Sequence, residues 1–229
     1  YSSPKQVSGT TWAYAVGGYL SNFAVKTDGT LWGMGGNGTG MLGINSEVKY
    51  SSPVQIPGTT WTTNISSANS QTMAVKSDGT AWAWGQNQFG ELGQNNKVNY
   101  SSPVQIPGTN WKKLTSTCTA GGLGVKTDGT LYTWGDNTYG RLGLNDVAKR
   151  SSPTQIPGTN WSVANGGYQA AGAIKTDGTL YTWGDNNPGQ LGQSSTTRYS
   201  SPVQIPGTEW ITLGNISNSM YAIQDDQTP

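Results

Sequence analysis

The fold is decided by the stretch KTDGTLYTWGDN, residues 126–137, because it recurs along the chain. Similar stretches occupy residues 26–37, 76–87 and 175–186, and a shortened copy occupies 224–228. The Asp of the Asp-Gly pair falls at positions 28, 78, 128 and 177, so the period is 50, 50 and 49 residues. Self-similarity at such a period indicates a repeat architecture in which each period is one supersecondary unit.

Each Asp-Gly pair lies between two short apolar runs and predicts a β-hairpin. In the second repeat, Thr72–Lys76 precedes the pair and Ala81–Trp84 follows it. A two-residue type I′ turn needs positive φ at both central residues, and Asp followed by Gly tolerates this best. We therefore expect a type I′ turn in every repeat. Trp82 and Trp84 alternate with small residues, which is typical of a sheet that packs hardest on one face.

Two further strands complete each repeat. One begins at a Trp, and the five equivalent positions are Trp12, Trp61, Trp111, Trp161 and Trp210. The other is predicted to be very short, such as Val104–Ile106, because prolines flank it and Pro cannot donate to a sheet ladder. Four strands that run from a small-residue inner strand to a Pro-flanked outer strand describe a propeller blade.

These elements predict an all-β propeller with four complete four-stranded blades and a partial fifth. The blades are expected at about residues 12–56, 61–106, 111–156, 161–205 and 210–224. Residues 4–7 are predicted to form an outer strand that has no blade of its own. The composition does not shift along the chain, so residues 1–229 are predicted to be one domain.

Composition and charge exclude several classes of protein. The 229 residues include 33 Gly, 11 Pro, 10 Trp and 11 Tyr, and no long segment shows a helical apolar period. The formal charge is +1 and Arg occurs only at positions 141, 150 and 198, which argues against a nucleic-acid surface. No apolar run is long enough to span a bilayer. Cys118 has no partner Cys and is predicted to be a small buried side chain.

The recurring pattern AVKxDGTLxxWGxNxxGxLG, followed by SSPxQI, resembles the repeat of the RCC1 (regulator of chromosome condensation) family. This resemblance implies a β-propeller, in that family usually a ring of about seven blades. Members of the family include exchange factors for a small GTPase, a plant UV-B photoreceptor, a bacterial β-lactamase inhibitor protein and many bacterial and phage chains. The resemblance therefore implies the fold without implying one function.

This sequence departs from the family pattern in one respect. The family often has a His a few residues before the Ala-Val-Lys segment, whereas this chain has no His at all. The equivalent positions are Ser21, Gln71, Gly121, Ala170 and Ser219. The near-identity of the copies resembles the phage and environmental members more than the eukaryotic regulators.

Several residue types in the repeat are candidates for a chemical role. The aromatic residues Trp32, Trp82, Trp134 and Trp183 are interpreted as packing residues between blades, because too few Arg are present for a photoreceptor-like cluster. The Asp-Gly carboxylates are explained by turn chemistry. The pairs 136–137 and 185–186 suggest calcium only weakly. Without His, no nucleophile–base pair can be assembled, so we predict no enzymatic activity, no metal and no cofactor.

The loops that differ between copies are where recognition is expected. Tyr19, Gln71 and Tyr168, in or beside the turns between the first and second strands, are predicted to be exposed binding residues. The loops at 44–50, 94–100, 144–150 and 193–199 carry much of the charge. The alternative interpretation is that all of these are solvent-facing loops without a partner.

The sequence favours a non-enzymatic interaction or structural module. It would be a virion component, such as a phage tail or fibre, or a cell-surface component, and would bind a protein or glycan through rim loops without contacting nucleic acid or entering a membrane. An extracellular or virion location is expected, with a cytoplasmic one left open. The alternative is a soluble regulator of one protein partner, similar to a GTPase exchange factor or an enzyme inhibitor.

Ring closure is the last expectation. The fifth blade lacks its third strand, and seven blades would need about 350 residues at this period. The chain also begins with Tyr1 rather than Met. We therefore expect a longer polypeptide or an incomplete C-terminus, and an open or imperfectly sealed arc when this chain stands alone.

Overall fold

The computed structural model describes residues 3–117, 120–216 and 219–225, with the side chains at 215 and 216 left out. All regular elements in these ranges are β-strands. The first sheet contains β1 (Trp12–Gly17), β2 (Ser21–Lys26), β3 (Leu31–Gly35) and β4 (Tyr50–Ile56). The second contains β5 (Trp61–Ser67), β6 (Gln71–Lys76), β7 (Ala81–Gly85) and β8 (Tyr100–Ile106).

The remaining sheets repeat this plan. The third contains β9 (Trp111–Thr117), β10 (Gly121–Lys126), β11 (Leu131–Gly135) and β12 (Arg150–Ile156). The fourth contains β13 (Trp161–Gly166), β14 (Ala170–Lys175), β15 (Leu180–Gly184) and β16 (Tyr199–Gln204), and the fifth contains only β17 (Trp210–Ile216) and β18 (Ser219–Gln224). Neighbouring strands pair antiparallel in chain order. The predicted propeller of four complete blades and a two-stranded fifth is confirmed.

Two predicted strands differ from the structure. The outer strand of blade 2 runs from Tyr100 to Ile106, so it includes Pro103 and is longer than predicted. Pro103 is tolerated because this strand lies at the sheet edge and pairs only with β7. Residues 4–7 form no strand, which corrects the prediction for this segment. Within the described residues, the fifth sheet consists of β17 and β18 and has no third strand with which an outer strand could pair.

The Asp-Gly hairpin turn is also not the predicted type I′ turn. In blade 2, the Lys76 N–H donates to the Thr80 carbonyl at 2.9 Å and the Gly79 N–H donates to the Lys76 carbonyl at 3.0 Å. Gly79 alone has positive φ, at 77°, and Asp78 does not. The loop therefore has three residues, and Gly79 takes the left-handed position. The Asp78 carboxylate instead accepts bonds from the Thr80 N–H and hydroxyl, at 2.9 and 2.7 Å.

Neighbouring blades pack with large side chains of one sheet face against small side chains of the next. Blade 2 places Trp84 against blade 1, and its Ala81 and Ala83 face the Trp134 side of blade 3. In blades 2 to 4, the fully buried aromatic residue is therefore the sixth after the Asp of the turn: Trp84, Trp134 and Trp183. Each of these indoles donates to a carbonyl of the preceding blade at 2.8 Å. Blade 1 has Met34 at this position.

The prediction for the packing Trp residues was half right. Trp134 and Trp183 are buried between blades as expected, but Trp32 and Trp82 are the fourth residue after the Asp and are only half-buried. A Lys covers this fourth residue in every complete blade: in blade 2, the Lys76 ammonium lies 4.5 Å from the Trp82 ring centre and 4.7 Å from that of Trp61. The matching residue in blades 3 and 4 is Tyr132 or Tyr181.

The two outermost sheet faces are uncovered in the described part of the chain. The free face of blade 1 lines a groove of about 450 Å³ that includes Trp12 and Met34. On the fifth sheet, Tyr221 and Ile223 are exposed. The described residues thus form an open arc, as expected. Cys118 lies outside the described residues, and none of the described segments is a helix of the length and apolarity needed to span a membrane.

The propeller has two ends, which we name by their connections. The turn end carries the Asp-Gly turns at residues 27–29, 77–79, 127–129 and 176–178. The loop end carries the turns between the first two strands of each blade and the long loops at 36–49, 86–99, 136–149 and 185–198. In blade 2 the two kinds of connection meet, because the Gln86 N–H donates to the Ser70 carbonyl at 2.8 Å.

Candidate functional site

A buried Asn shapes each long loop at the loop end. In blade 2, the Asn87 side-chain oxygen accepts from the Leu92 N–H at 2.9 Å, and its amide donates to the carbonyls of Asn96 and Val98 at 3.1 and 3.0 Å. The equivalents Asn37, Asn137 and Asn186 make the same set of contacts. These amides are consumed by loop structure, so the weak calcium suggestion at 137 and 186 loses its Asn ligands.

The long loops of blades 1 to 3 also reach the outer strand of the following blade. The N–H groups of Asn45, Asn95 and Asn145 donate to the carbonyls of Ser101, Ser151 and Ser200, at 2.7, 2.7 and 2.8 Å. The three Asn residues have φ between 55° and 60°, which Asn accepts more readily than most residues. We call this contact the loop hook. It fixes the position of each long loop relative to its neighbour.

At the loop end, charged side chains occupy the variable position of the Gly-x-Leu-Gly segment in two of the four blades. That position holds Met41, Glu91, Arg141 and Gln190 in blades 1 to 4. The carbonyls of Met41, Glu91 and Arg141 accept the indole bonds described above, so the backbone is fixed while the side chain differs. Glu91 and Arg141 are both buried.

A pocket of about 180 Å³ opens at the loop end among blades 2, 3 and 4. Its lining residues come from turns and long loops: Ala68, Asn69, Ser70, Gln71, Gln86, Phe89, Glu91, Ala120 and Tyr168. The turns that contribute are those at the inner edge of the blades, so the pocket lies at the mouth of the central space. This pocket is the candidate functional site.

The structure separates the three predicted binding residues. Tyr19 is 76% exposed on the inner turn of blade 1 and does not line the pocket, whereas Tyr168 is 42% exposed and does. The prediction that Gln71 is exposed was wrong, because only 3% of it reaches solvent. Its amide nitrogen donates to the Gly121 carbonyl of the next blade at 2.6 Å. Its Oε1 has no hydrogen-bond partner among the described residues.

Beside the pocket lies a buried ion pair between Asp136 and Arg141. The Lys149 ammonium, 3.1 Å from the other carboxylate oxygen, adds a second cation, and the Arg141 guanidinium donates to the Tyr168 carbonyl at 2.9 Å. Burial alone would raise the pKa of Asp136, but the Thr138 hydroxyl, Arg141 and Lys149 outweigh it and hold that pKa below its ordinary value. This network ties Tyr168 of blade 4 to blade 3.

Glu91 contrasts with Asp136. One carboxylate oxygen accepts from the Phe89 N–H at 2.6 Å, and the side chain is buried. No ion pair reaches Glu91 from the residues that the structure describes. Burial raises the pKa of this carboxyl. The backbone N–H groups of Glu91, Phe89 and Gln88 offset part of this rise, and the negative charge of Asp136 adds a smaller rise. Glu91 is therefore a buried acid without a counter-ion at the wall of a pocket.

Asp136 and Asp185 at the loop end are both paired with basic side chains. The described residues contain no cluster of three or more His, Cys, Asp or Glu side chains. Asp136 pairs with Arg141 and Lys149, and Asp185 pairs with Arg198. Charge neutralisation by side chains accounts for both Asp residues.

Sequence reasoning missed the roles of Glu91 and Arg141, and it considered Asp136 only as a weak calcium ligand and not as the partner of Arg141. The signal that could have found them is the contrast within one repeat. The position after Trp-Gly changes from Gln86 to Asp136 and the Gly-x-Leu-Gly position changes from Glu91 to Arg141, while their neighbours stay fixed. Because the same position holds Glu in one blade and Arg in the next, the fold does not require either charge there.

Comparison with known proteins agrees with this architecture. The family model for the regulator of chromosome condensation (RCC1) repeat matches residues 28–75, 78–122, 128–171 and 177–213. Human WBSCR16 is similar in structure, with a TM-score of 0.83, 19% identity and coverage of 97% of this chain. Saccharomyces cerevisiae Prp20p, the yeast RCC1, is similar with a TM-score of 0.81, 17% identity and coverage of 98% of this chain. A second structure of that yeast protein, bound to Kap60, has a TM-score of 0.81, 16% identity and coverage of 98% of this chain.

The match covers only part of these solved structures. The chain spans 60% of WBSCR16 and 59% and 56% of the two yeast chains. No curated protein matches by sequence. At identities below a fifth, the similarity establishes a shared fold.

Proposed function

The chain belongs to the RCC1 repeat family, and on that premise we propose that it is a protein-binding β-propeller module that recognises its partner at the loop end. Propellers of this kind present loops on a rigid scaffold, which is the usual arrangement for binding without catalysis. We propose that the chain is not an enzyme.

One observation carries the proposal. Large side chains are exposed on the inner turns of the loop end, namely Tyr19 and Leu20 in blade 1 and Tyr168 in blade 4. A Tyr offers a large contact area at a low cost in side-chain entropy, which is why it is enriched in binding surfaces. Tyr168 lies at the rim of a polar pocket, so apolar and polar contacts are available together.

We further place this module on a virion, such as a phage tail or fibre, or on a cell surface, where its partner is a protein or glycan. The support is compositional: the net charge is +1, and Ser, Thr, Asn and Gly dominate the loops. Fractionation of the source material tests this part. Recovery with purified particles or envelopes is the expected result, and recovery as a free cytosolic protein would contradict it.

A second candidate is a soluble regulator of one protein partner. The observation in its favour is that two similar yeast structures are described with protein partners. One structure shows Kap60 bound to yeast RCC1, and the other reports binding of Prp20p to Gsp1p and histones. Because this chain spans under two thirds of those proteins, their partners serve here only as examples of propeller ligands.

The test is affinity capture with matched variants. The wild-type chain, the double variant Tyr19→Ala/Tyr168→Ala and the control Tyr221→Ala are immobilised and exposed to extract from the source. Tyr221 is also exposed but lies on the fifth sheet, away from the turns. We expect one retained species that the double variant loses at least about tenfold and the control keeps. Equal retention by all three would refute binding at the loop end, and protease treatment of the captured material separates protein from glycan.

A further inference from the structure

The pocket at the loop end contains a buried carboxyl that no basic side chain of the described residues neutralises. Glu91 is 2% exposed, lines the pocket and has no ion pair among the described residues. A buried charge is costly unless a partner neutralises it. Gln71 lines the same pocket and contributes a buried oxygen that lacks a hydrogen-bond donor. A ligand that carries positive charge and donates hydrogen bonds would therefore complement both groups.

The neighbouring contacts show which kind of cation this environment accepts. The Lys149 ammonium lies 4.2 Å from the centre of the Phe89 ring and 3.1 Å from the Asp136 carboxylate. An ammonium is thus already held by one aromatic face and one acid at the edge of the pocket. Glu91, Gln71 and the rim residue Tyr168 offer a second combination of acid, acceptor and aromatic ring.

We propose that this pocket receives the ammonium group of a lysine side chain from the partner protein. The proposal rests on the proposed function and specifies the group that the loop end recognises. The ammonium would donate to Glu91 and to the Gln71 Oε1, with its alkyl chain passing the ring of Tyr168. A pocket of about 180 Å³ accommodates one such chain end and no folded element.

The contacts favour an ammonium over a guanidinium or an anion. An arginine prefers a carboxylate that offers both oxygens to its planar fork, whereas one Glu91 oxygen is already engaged by the Phe89 N–H. An ammonium is a compact donor group and can use single acceptors in different directions. An anion would face Glu91 without a cation of the lining to hold it, because the lining residues include no Lys or Arg.

The experiment is a titration of the intact chain with n-butylammonium chloride, followed by NMR of the backbone amides. We expect saturable shifts at Gln71, Phe89 and Glu91, and no such shifts with the neutral analogue N-butylacetamide. Glu91→Gln keeps an oxygen for the Phe89 N–H and should weaken binding by at least about tenfold. Glu47→Gln removes an exposed carboxylate from the long loop of blade 1, outside the pocket, and should leave binding unchanged.

Three outcomes would overturn the inference: equal binding of the ammonium and the amide, equal binding by wild type and Glu91→Gln, or shifts confined to residues outside the pocket. Tighter binding after Lys149→Met with no effect of Glu91→Gln would also overturn it, because the probe would then have replaced Lys149 at Asp136. If Glu91→Gln does not fold, the wild-type chain supplies the test: butylammonium binding must weaken as pH falls and Glu91 takes up a proton. Asp136, Arg141 and Lys149 are the other charged groups nearby, and the Asp136 pKa lies below its ordinary value, so Glu91 protonates first.

This test is independent of the partner. Failure of butylammonium to bind removes the lysine pocket but leaves the capture experiment, and hence the protein-binding function, unaffected. Failure of the capture experiment with intact butylammonium binding would instead leave an ammonium pocket that serves a different ligand.

Discussion

The two ends of the propeller use the same repeat but treat charge differently. At the turn end, every complete blade has a Lys against its aromatic pair and an Asp that closes the turn, and all of these reach solvent. At the loop end, the charged residues differ from blade to blade, and Glu91, Asp136 and Arg141 are buried. A blade folds with Met41 where another has Glu91. Repetition therefore identifies the charges that build the scaffold, and variation identifies those that the scaffold does not need.

The largest effect should come from the aromatic residue that joins neighbouring blades. Trp134→Ala removes a fully buried indole and its bond to the Glu91 carbonyl, so we expect the free energy of unfolding to fall by about 3–5 kcal/mol. Trp82→Ala removes a half-buried ring at the turn end and should cost clearly less. Urea denaturation of both variants gives the comparison, and equal losses would mean that the two ring positions are not distinct.

A smaller effect is expected from the ion pairs of blade 3. Asp136→Asn leaves Arg141 buried with less compensation and should lower the free energy of unfolding by about 3 kcal/mol. The matched control is Asp146→Asn, which breaks the more exposed pair with Arg150 and should cost less than about 1 kcal/mol. Thermal unfolding at one ionic strength measures both. A loss as small for Asp136→Asn as for the control would show that the loop-end charges contribute no more than surface charges do.

The two ends should also respond to pH with opposite sign. The pKa of Glu91 is raised by burial, so the native state holds a proton that the unfolded chain has released, and the free energy of unfolding falls as pH rises toward that raised pKa. Glu91→Gln should remove this fall. The pKa of Asp128 is lowered by the Thr130 hydroxyl and N–H, so its contribution is present above its ordinary pKa and is lost as pH falls. Unfolding curves of wild type, Glu91→Gln and Asp128→Asn across the acidic range decide the signs, and a Glu91 variant that parallels wild type would contradict the assignment.

The smallest effect tests the uniformity of the turn end. Thr60 precedes the inner strand of blade 2 with φ of 65°, a conformation that is costly for a β-branched residue, whereas blade 3 has Asn110 there with φ of 62°. Thr60→Asn should stabilise the chain by about 1 kcal/mol. The reverse exchange, Asn110→Thr, should destabilise it by a similar amount. Denaturation midpoints that do not move in opposite directions would show that the backbone relaxes at this position.

The repeat made the fold readable from the sequence, and the errors came from the limits of local reasoning. The Asp-Gly pair predicts a hairpin, but the turn type depends on Thr80, whose hydroxyl and N–H bind the Asp78 carboxylate. Alternation places Trp82 and Trp84 on one face, yet only the neighbouring blade decides which of them is buried. Residues 4–7 read as a strand, but a strand needs a partner, and the described part of the fifth sheet contains no third strand to pair with it.

The candidate site was less predictable because it is assembled across blades. The sequence predicts Gln71 and Tyr168 as binding residues because of their positions at turns, and the structure places both at one pocket although they lie in blades 2 and 4. The burial of Gln71 follows from its bond to Gly121 in blade 3, which no local pattern reveals. Glu91 stands in a segment that is otherwise structural, so only the change of charge between repeats distinguishes it.

The loop hook has a consequence for how such a chain can change over generations. Because Asn45, Asn95 and Asn145 each bind the Ser at the same place in the following blade, the junction between blades is the same joint repeated. A recombination event that deletes or duplicates one full period brings each remaining loop to a strand that already fits it. The number of blades can therefore change by whole units without a new contact between blades having to evolve. Each such change gives the loop-end side chains different neighbours.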